Sequence, residues 1–174
     1  MDTLHPRIAE IVAELEASQK EMTAMLATIP ADRFEVRPAD GGWTITEVVE
    51  HLMLIEAGAG RLIGGMLKQL EGTTDTETDP IGPTMAKFRI AEPVTKLAAP
   101  PMVTPSGVPL AESLEKQGES RERLIAALKA GSGRALQTMT WQHPFLGALN
   151  GYQWALLAAQ HQRRHLVQIA GTMG

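Results

Sequence analysis

The sequence predicts an all-α protein: an antiparallel four-helix bundle with a long excursion between its second and third helices. Apolar residues recur with helical periodicity in four separate stretches of the chain. Aromatic residues make up only 4% of the sequence, whereas strands are usually built from β-branched and aromatic runs. Four amphipathic helices, each with one apolar face, bury those faces best against one another, which favours a bundle.

The first two predicted helices cover residues 6–29 and 44–71. In the first, apolar residues repeat at i, i+3, i+4 and i+7, and Pro30 ends the helix. Thr44 and Glu47 have the spacing of a capping box, which predicts the start of the second helix.

Residues 72–108 interrupt the helical pattern. Seven of the eleven prolines lie between Pro80 and Pro109, and one or two turns of helix fit around residues 84–90. A connection this long in a small domain usually has a function or is partly disordered. We expect it to pack over one end of the bundle and to line the mouth of a site there.

The third and fourth predicted helices cover residues 109–130 and 151–171. Pro109 suits a first helical turn because its φ is fixed, and Asn150 and Gln153 form a second capping pair. Residues 143–147 are interpreted as part of a loop. The length of 174 residues fits a single domain spanning residues 1–174.

The composition argues against several classes of function. With 16 Lys+Arg against 20 Asp+Glu, the net charge of −4 lacks the basic excess of a nucleic-acid-binding protein. The absence of cysteine removes disulfides, cysteine-based zinc sites and thiolate nucleophiles. No apolar stretch approaches the roughly 20 residues of a membrane span, and the first residues do not resemble a signal peptide. We therefore expect a cytoplasmic protein without a membrane partner.

Three histidines could form a metal site. His161 and His165 are four residues apart on the fourth helix, so both imidazoles project from one face, and His51 lies on the apolar stripe of the second helix. Two histidines one turn apart can reach a single ion, and a third from a facing helix leaves open coordination positions. The residues alone leave another interpretation open, in which His51 is a hydrogen-bonded core residue and the pair faces solvent.

Three segments together resemble the DinB-like superfamily. They are residues 43–52 (WTITEVVEHL), 143–147 (HPFLG) and 161–169 (HQRRHLVQI). The resemblance extends over nearly the whole chain and implies a DinB/YfiT-like four-helix bundle, commonly a homodimer. It also implies one divalent metal ion held by the three histidines that match the family, here His51, His161 and His165. Zinc or nickel suits such a site, with iron and manganese as alternatives.

The same resemblance implies a reaction class. Characterised DinB-like proteins include thiol-dependent transferases and isomerases, so we expect a metal-dependent transferase that acts on a small molecule with a low-molecular-weight thiol as cosubstrate. The related iron-dependent sulfoxide synthases carry an acidic residue where Val167 stands, which argues against that chemistry. A metal-dependent hydrolase and a non-catalytic metal-binding or small-ligand-binding stress protein remain the alternatives. The sequence assigns no catalytic residue and no organic cofactor.

Four other polar residues have competing interpretations. Glu47 is interpreted as a helix cap rather than as a partner of His51, and Arg121 as a side chain that snorkels to the bundle end rather than one that binds an anion. Gln168 could equally stabilise helix packing or touch substrate. His143 could reach the mouth of the site from its loop, but a position at the surface is expected.

Dimerisation has one direct indication in the sequence. Leu54 and Ile63 are apolar residues on the second helix opposite its main stripe, and we expect them to be exposed.

Overall fold

Four long helices form the bundle that the sequence predicts. The computed structural model describes residues 3–92 and 97–173. Its helices are α1 (Pro6–Ala27), α2 (Ile45–Gln69), the single-turn α3 (Gly82–Met85), α4 (Leu110–Ala130) and α5 (Gly151–Thr172). The ends of the four long helices lie within two residues of their predicted positions, so these predictions are confirmed.

Both predicted capping boxes are present. At the start of α2, the backbone N–H of Thr44 donates to Glu47 Oε2 (2.8 Å), and the backbone N–H of Glu47 donates to Thr44 Oγ1 (3.2 Å). Asn150 and Gln153 make the same reciprocal pair at the start of α5. Glu47 also accepts a hydrogen bond from Arg37 Nη2 (2.7 Å), so its carboxylate serves the helix start and not His51.

A β-hairpin lies where the sequence predicted only a loop. Strands β1 (Thr140–His143) and β2 (Gly147–Asn150) pair antiparallel directly before α5. Within the turn, His143 Nδ1 accepts the backbone N–H groups of Phe145 (3.1 Å) and Leu146 (3.2 Å). Strands of four residues are too short to show a clear alternation of apolar and polar residues, which is why the pattern did not indicate them.

The apolar core consists of two clusters stacked along the bundle. The first contains the early residues of α1 and α5 together with the ends of α2 and α4. The second contains the end of α1, the start of α2 and the end of α5. Polar residues of all four long helices lie between the two clusters, and we call this group the polar layer: Ser18, Gln19, Glu56, Gln117, Arg121 and Gln162.

Arg121 is the centre of the polar layer and is only 2% exposed. Its Nε and Nη2 donate to the two carboxylate oxygens of Glu56 (2.6 and 2.8 Å), and Nη2 also donates to Gln162 Oε1 (3.1 Å). Its Nη1 donates to Ser18 Oγ (3.0 Å) and to the carbonyl of Leu15. All five N–H donors therefore have partners inside the bundle, and the interpretation of Arg121 as a snorkelling side chain is wrong.

The prediction that Ile63 is exposed is also wrong. Ile63 is 0% exposed and belongs to the first core cluster, while Leu54 is half-buried. The physical reason is that α2 packs against both α4 and α5, so it buries a much wider face than a single stripe. The sequence-based indication of a dimer is lost with this correction.

The described residues of the excursion lie along the side of the bundle rather than over one end. Near its start, Asp75 accepts hydrogen bonds from Arg7 Nη1 (3.2 Å), Gln137 Nε2 (2.7 Å) and Tyr152 Oη (2.7 Å), close to the beginnings of α1 and α5. Further along, Arg164 Nη1 donates to the carbonyl of Glu92 (2.9 Å). The expectations for residues 93–96 lie outside the described residues. No helix in the described part of the chain combines the length and apolarity that a membrane span needs.

Candidate metal centre

The packing of α2 on α5 brings the three predicted histidines together. The ring centroid of His51 lies 5.3 Å from that of His161 and 4.8 Å from that of His165, and the two α5 rings are 4.6 Å apart. One ring nitrogen from each residue can be chosen so that all three lie within 4.8 Å of one another. Nitrogens this close together could hold a single metal ion, so the solvent-facing interpretation of the pair is wrong.

His51 is fixed by the backbone of the excursion. Its Nδ1 lies 2.6 Å from the carbonyl oxygen of Val103. Because a carbonyl can only accept, Nδ1 carries the proton and donates it to Val103, which leaves Nε2 with a free lone pair. This is the arrangement in which a histidine usually binds a metal.

His165 has a partner of the same kind on its own helix. Its Nδ1 lies 2.7 Å from Gln168 Oε1, one turn further along α5. The amide oxygen accepts the Nδ1 proton and leaves the Nε2 lone pair of His165 free. Gln168 was expected either to stabilise helix packing or to touch substrate. The structure instead places its side chain against His165, a candidate metal ligand.

His161 completes the group without a hydrogen-bond partner of its own. Its Nδ1 is fully covered, and no described residue satisfies it. A buried polar atom without a partner costs about 1–3 kcal/mol. A shared metal ion would offset that cost, and this orphaned nitrogen is the observation that fits a metal best.

The environment keeps all three imidazoles neutral. Burial lowers the pKa of His51 and, together with repulsion from the neighbouring imidazoles, places the pKa of His161 well below 6.5. Burial and the proximity of His51 lower the pKa of His165 to about 4. At neutral pH the three rings therefore present lone pairs instead of charges, which is the protonation state that metal binding requires.

Trp43 and Arg164 lie beside the three histidines, which we call the histidine cluster or, in short, the cluster. The half-buried Trp43 ring, directly before α2, has its centroid 5.0 Å from that of His51. Arg164 lies between the two α5 histidines in sequence, and its charge contributes to lowering the pKa of both. The site thus combines neutral nitrogen donors with one aromatic wall.

Glu50, directly before His51, is a buried carboxylate beside the candidate site that the sequence pattern did not single out. It is 1% exposed, and its carboxylate accepts hydrogen bonds from residues 106–108 of the excursion. Burial alone would raise the pKa of this carboxyl, but the hydrogen bonds outweigh burial and hold the pKa below its ordinary value. The sequence feature that could have drawn attention to Glu50 is an acidic residue in the buried part of a predicted helix, next to a candidate ligand.

His143 is separate from the group that could hold a metal. It is half-buried in β1, its ring centroid lies 5.2 Å from that of Trp154, and its Nδ1 is occupied by the hairpin turn. The expectation of a surface position is therefore only partly met. A role in shaping the hairpin explains the residue.

Comparison with known proteins identifies relatives of this chain. The model of the DinB superfamily matches residues 14–169. The crystal structure of TT2238, described as a four-helix bundle protein, matches with a TM-score of 0.63 and 22% sequence identity, covering 94% of this chain and 98% of that one. At this identity the likeness concerns the fold alone. No curated protein matches the chain.

Proposed function

The chain belongs to the DinB superfamily, and from this premise we propose that it is a metal-dependent transferase that joins a low-molecular-weight thiol to an electrophilic small molecule. The observation that carries the proposal is the convergence of three neutral imidazoles, two of them with their Nδ1 protons engaged elsewhere. In this proposal His51, His161 and His165 are the metal ligands, and zinc or nickel is the preferred ion, with iron and manganese as alternatives.

When bound at such a site, a divalent ion lowers the pKa of a thiol or water that occupies an open position. The protein contributes the positions of the three ligands. Val103 and Gln168 hold the rings of His51 and His165 in the tautomer that leaves the Nε2 lone pair free to bind a metal. Trp43 provides an apolar wall that excludes water from one side of His51.

The carboxylates near the cluster favour thiol transfer over hydrolysis. Glu50 accepts four hydrogen bonds from the excursion, and Glu56 is bound on both oxygens by Arg121. Neither carboxylate is therefore available as a general base. A thiol has a much lower pKa than water and can release its proton to solvent near neutral pH without a protein base, so the arrangement supports a thiol nucleophile.

Metal analysis followed by a thiol assay tests the proposal. Protein purified without chelator should contain about one equivalent of divalent metal. It should accelerate the loss of free thiol when cysteine-derived thiols are mixed with an electrophile such as 1-chloro-2,4-dinitrobenzene. Chelation should remove this activity and added metal should restore it. Metal-dependent turnover of ester substrates without thiol consumption would instead establish the hydrolase.

The matched control is His143→Ala, because His143 is a half-buried histidine near the cluster that does not belong to it. This variant should retain metal and turnover, whereas His161→Ala should lose both. A His161→Ala variant that kept full turnover without metal would contradict the catalytic part of the proposal. One equivalent of metal without turnover on any substrate would point to the non-catalytic alternative.

We also propose that the protein forms a homodimer. Support comes from family resemblance and from an apolar groove between α1 and α5, whose lining includes Met25, Leu166, Ala170 and the 44%-exposed Val167. A second copy of the chain would cover this groove. Sedimentation at tens of micromolar should give a dimer for the wild type and a monomer for Val167→Glu, and a monomeric wild type would contradict the idea.

A further inference from the structure

We propose that Glu50 is a positioning residue of the metal site, because it fixes the chain segment that holds His51. The inference rests on the proposed function, since it treats His51 as a metal ligand. It concerns residues 103–108, which we call the strap, and their two attachments to α2.

The first attachment is the carboxylate of Glu50. Its Oε1 accepts the backbone N–H (2.7 Å) and the hydroxyl (2.9 Å) of Ser106. Its Oε2 accepts the backbone N–H groups of Gly107 and Val108, both at 3.0 Å. Four donors from three consecutive residues thus converge on one buried carboxylate, and bonds to a charged acceptor are among the stronger hydrogen bonds.

The conformation of Gly107 makes this convergence possible. Its φ of +101° is one that side-chain-bearing residues rarely adopt. A Cβ built at this position would meet no atom within 4 Å. Only the backbone conformation therefore opposes a side chain at residue 107.

The second attachment is the hydrogen bond from His51 Nδ1 to the carbonyl of Val103. Glu50 and His51 are adjacent on α2, and Val103 lies three residues before Ser106. Pro105 joins the two attachments, and proline fixes its own φ while restricting the residue before it. Because this link is stiff, loss of the Glu50 contacts should displace the Val103 carbonyl and release the His51 ring.

Glu47 provides a matched comparison on the same helix. It lies four residues before His51 and also accepts a backbone N–H, but its partners are Thr44 and Arg37 at the helix start. A general effect of removing a charge from α2 would appear in both positions. An effect through the strap should appear only at Glu50.

The experiment measures zinc affinity by competition with a chromophoric chelator. In Glu50→Gln the amide nitrogen cannot accept hydrogen bonds, and we expect zinc to bind about 10- to 100-fold more weakly, the usual effect of losing a residue that supports a ligand. Gly107→Ala should shift affinity in the same direction without touching the carboxylate. Glu47→Gln keeps the capping box and removes only the ion pair with Arg37, so it should lower the melting temperature slightly and leave zinc affinity at the wild-type value.

Two further readouts separate positioning from a loss of folding. The absorption bands of the Co²⁺-loaded protein should change in Glu50→Gln and remain unchanged in Glu47→Gln. Hydrogen exchange at the amides of residues 106–108 should be slow in wild type and fast in Glu50→Gln. Should Glu50→Gln fail to fold, Ser106→Ala and Gly107→Ala provide the same comparison.

The outcomes are distinguishable. If the strap amides exchange faster in Glu50→Gln while zinc affinity and cobalt spectra stay at wild-type values, the inference is overturned and the proposed function survives. If Glu47→Gln weakens zinc as much as Glu50→Gln, the effect is not specific to the strap and the inference is likewise overturned. A wild-type chain that binds no zinc or cobalt would overturn the proposed function and this inference together.

Discussion

The polar layer and the histidine cluster both bury polar atoms within the bundle, but the two regions satisfy those atoms differently. In the polar layer, each N–H of Arg121 has an acceptor, and the amides of Gln19 and Gln117 donate to each other at 2.9 Å. In the cluster, the three imidazoles face one another without a hydrogen bond between them, and His161 Nδ1 has no partner among the described residues.

This difference separates buried polar groups that satisfy one another from buried polar groups that could bind a ligand. In a buried polar network in which every group is paired, the hydrogen bonds offset much of the cost of removing those groups from water. A buried group without a partner costs free energy that something else must offset. The hydrogen bonds of Arg121 in the polar layer are all satisfied among the described residues, whereas His161 Nδ1 in the cluster is left without a partner, which a bound ligand would supply. Substitutions in the two regions should therefore change different measured quantities.

The largest expected effect is on metal content. His165→Ala should abolish stoichiometric metal binding, because two nitrogens hold an ion far less well than three. Without metal, the variant should unfold at the same urea concentration as the metal-free wild type, since each long helix keeps its apolar face. Elemental analysis and urea unfolding check both parts. A full equivalent of tightly bound metal in His165→Ala would show that the ligand set is wrong.

The next largest effect is on stability. Arg121→Met should lower the free energy of unfolding by about 3–5 kcal/mol, because it leaves the carboxylate of Glu56 buried and unpaired. The metal content of the folded fraction should not change. Urea unfolding gives the loss, and the double variant Arg121→Met/Glu56→Leu should recover much of it. If Arg121→Met lowered the free energy of unfolding by less than about 1 kcal/mol, Glu56 would not depend on Arg121 as its partner in the polar layer.

A smaller effect is expected at the edge of the cluster. Gln168→Ala should weaken metal binding about tenfold, because the Nδ1 proton of His165 loses its acceptor. Gln168→Glu, which keeps an oxygen at the same place, should retain affinity. Competition titration measures both variants, and equal affinities for the alanine variant and wild type would show that Gln168 does not orient the ring.

Acid should affect the buried group of polar residues around Asp75. Burial alone would raise the pKa of Asp75, but hydrogen bonds from Glu77 and Tyr152 and the charge of Arg7 hold it below its ordinary value of 3.8. Since the folded-state pKa is depressed, its contribution to stability is present above pH 3.8 and is lost as the pH falls below that value. Urea unfolding between pH 5 and 2.5 should therefore show a steeper loss of stability for wild type than for Asp75→Asn. Parallel curves would contradict this assignment.

The smallest effect is expected for His143. His143→Ala removes an acceptor from the hairpin turn and should cost no more than about 1 kcal/mol of stability, the value of one or two exposed hydrogen bonds. Metal affinity should equal that of wild type. A clear loss of metal in His143→Ala would contradict this prediction and would add His143 to the residues of the metal site.

The features that the sequence predicted correctly are those that depend on residues close together in the chain. The four helices follow from apolar periodicity and from the capping boxes at Thr44 and Asn150, all of which involve neighbouring residues. The three histidines could be grouped because helical phase places two on one face and family resemblance supplies the third. The partners of Arg121 and Glu50 were not predictable, because Glu56 lies 65 positions from Arg121 and Ser106 lies 56 positions from Glu50. Such pairs depend on how the helices and the excursion pack together. No short pattern in the sequence predicts that packing.

The separation of His51 from the α5 pair along the chain has a consequence for folding kinetics. About 110 residues lie between His51 and His161, so closing the loop between them costs more entropy than any local contact in the bundle. We expect the ligand set to assemble only after the rate-limiting barrier. Metal would then slow the rate of unfolding and leave the rate of folding nearly unchanged. The lifetime of the folded, metal-bound protein would then depend on how often α5 separates from α2. The bound ion would stabilise the protein kinetically, by lowering its rate of unfolding.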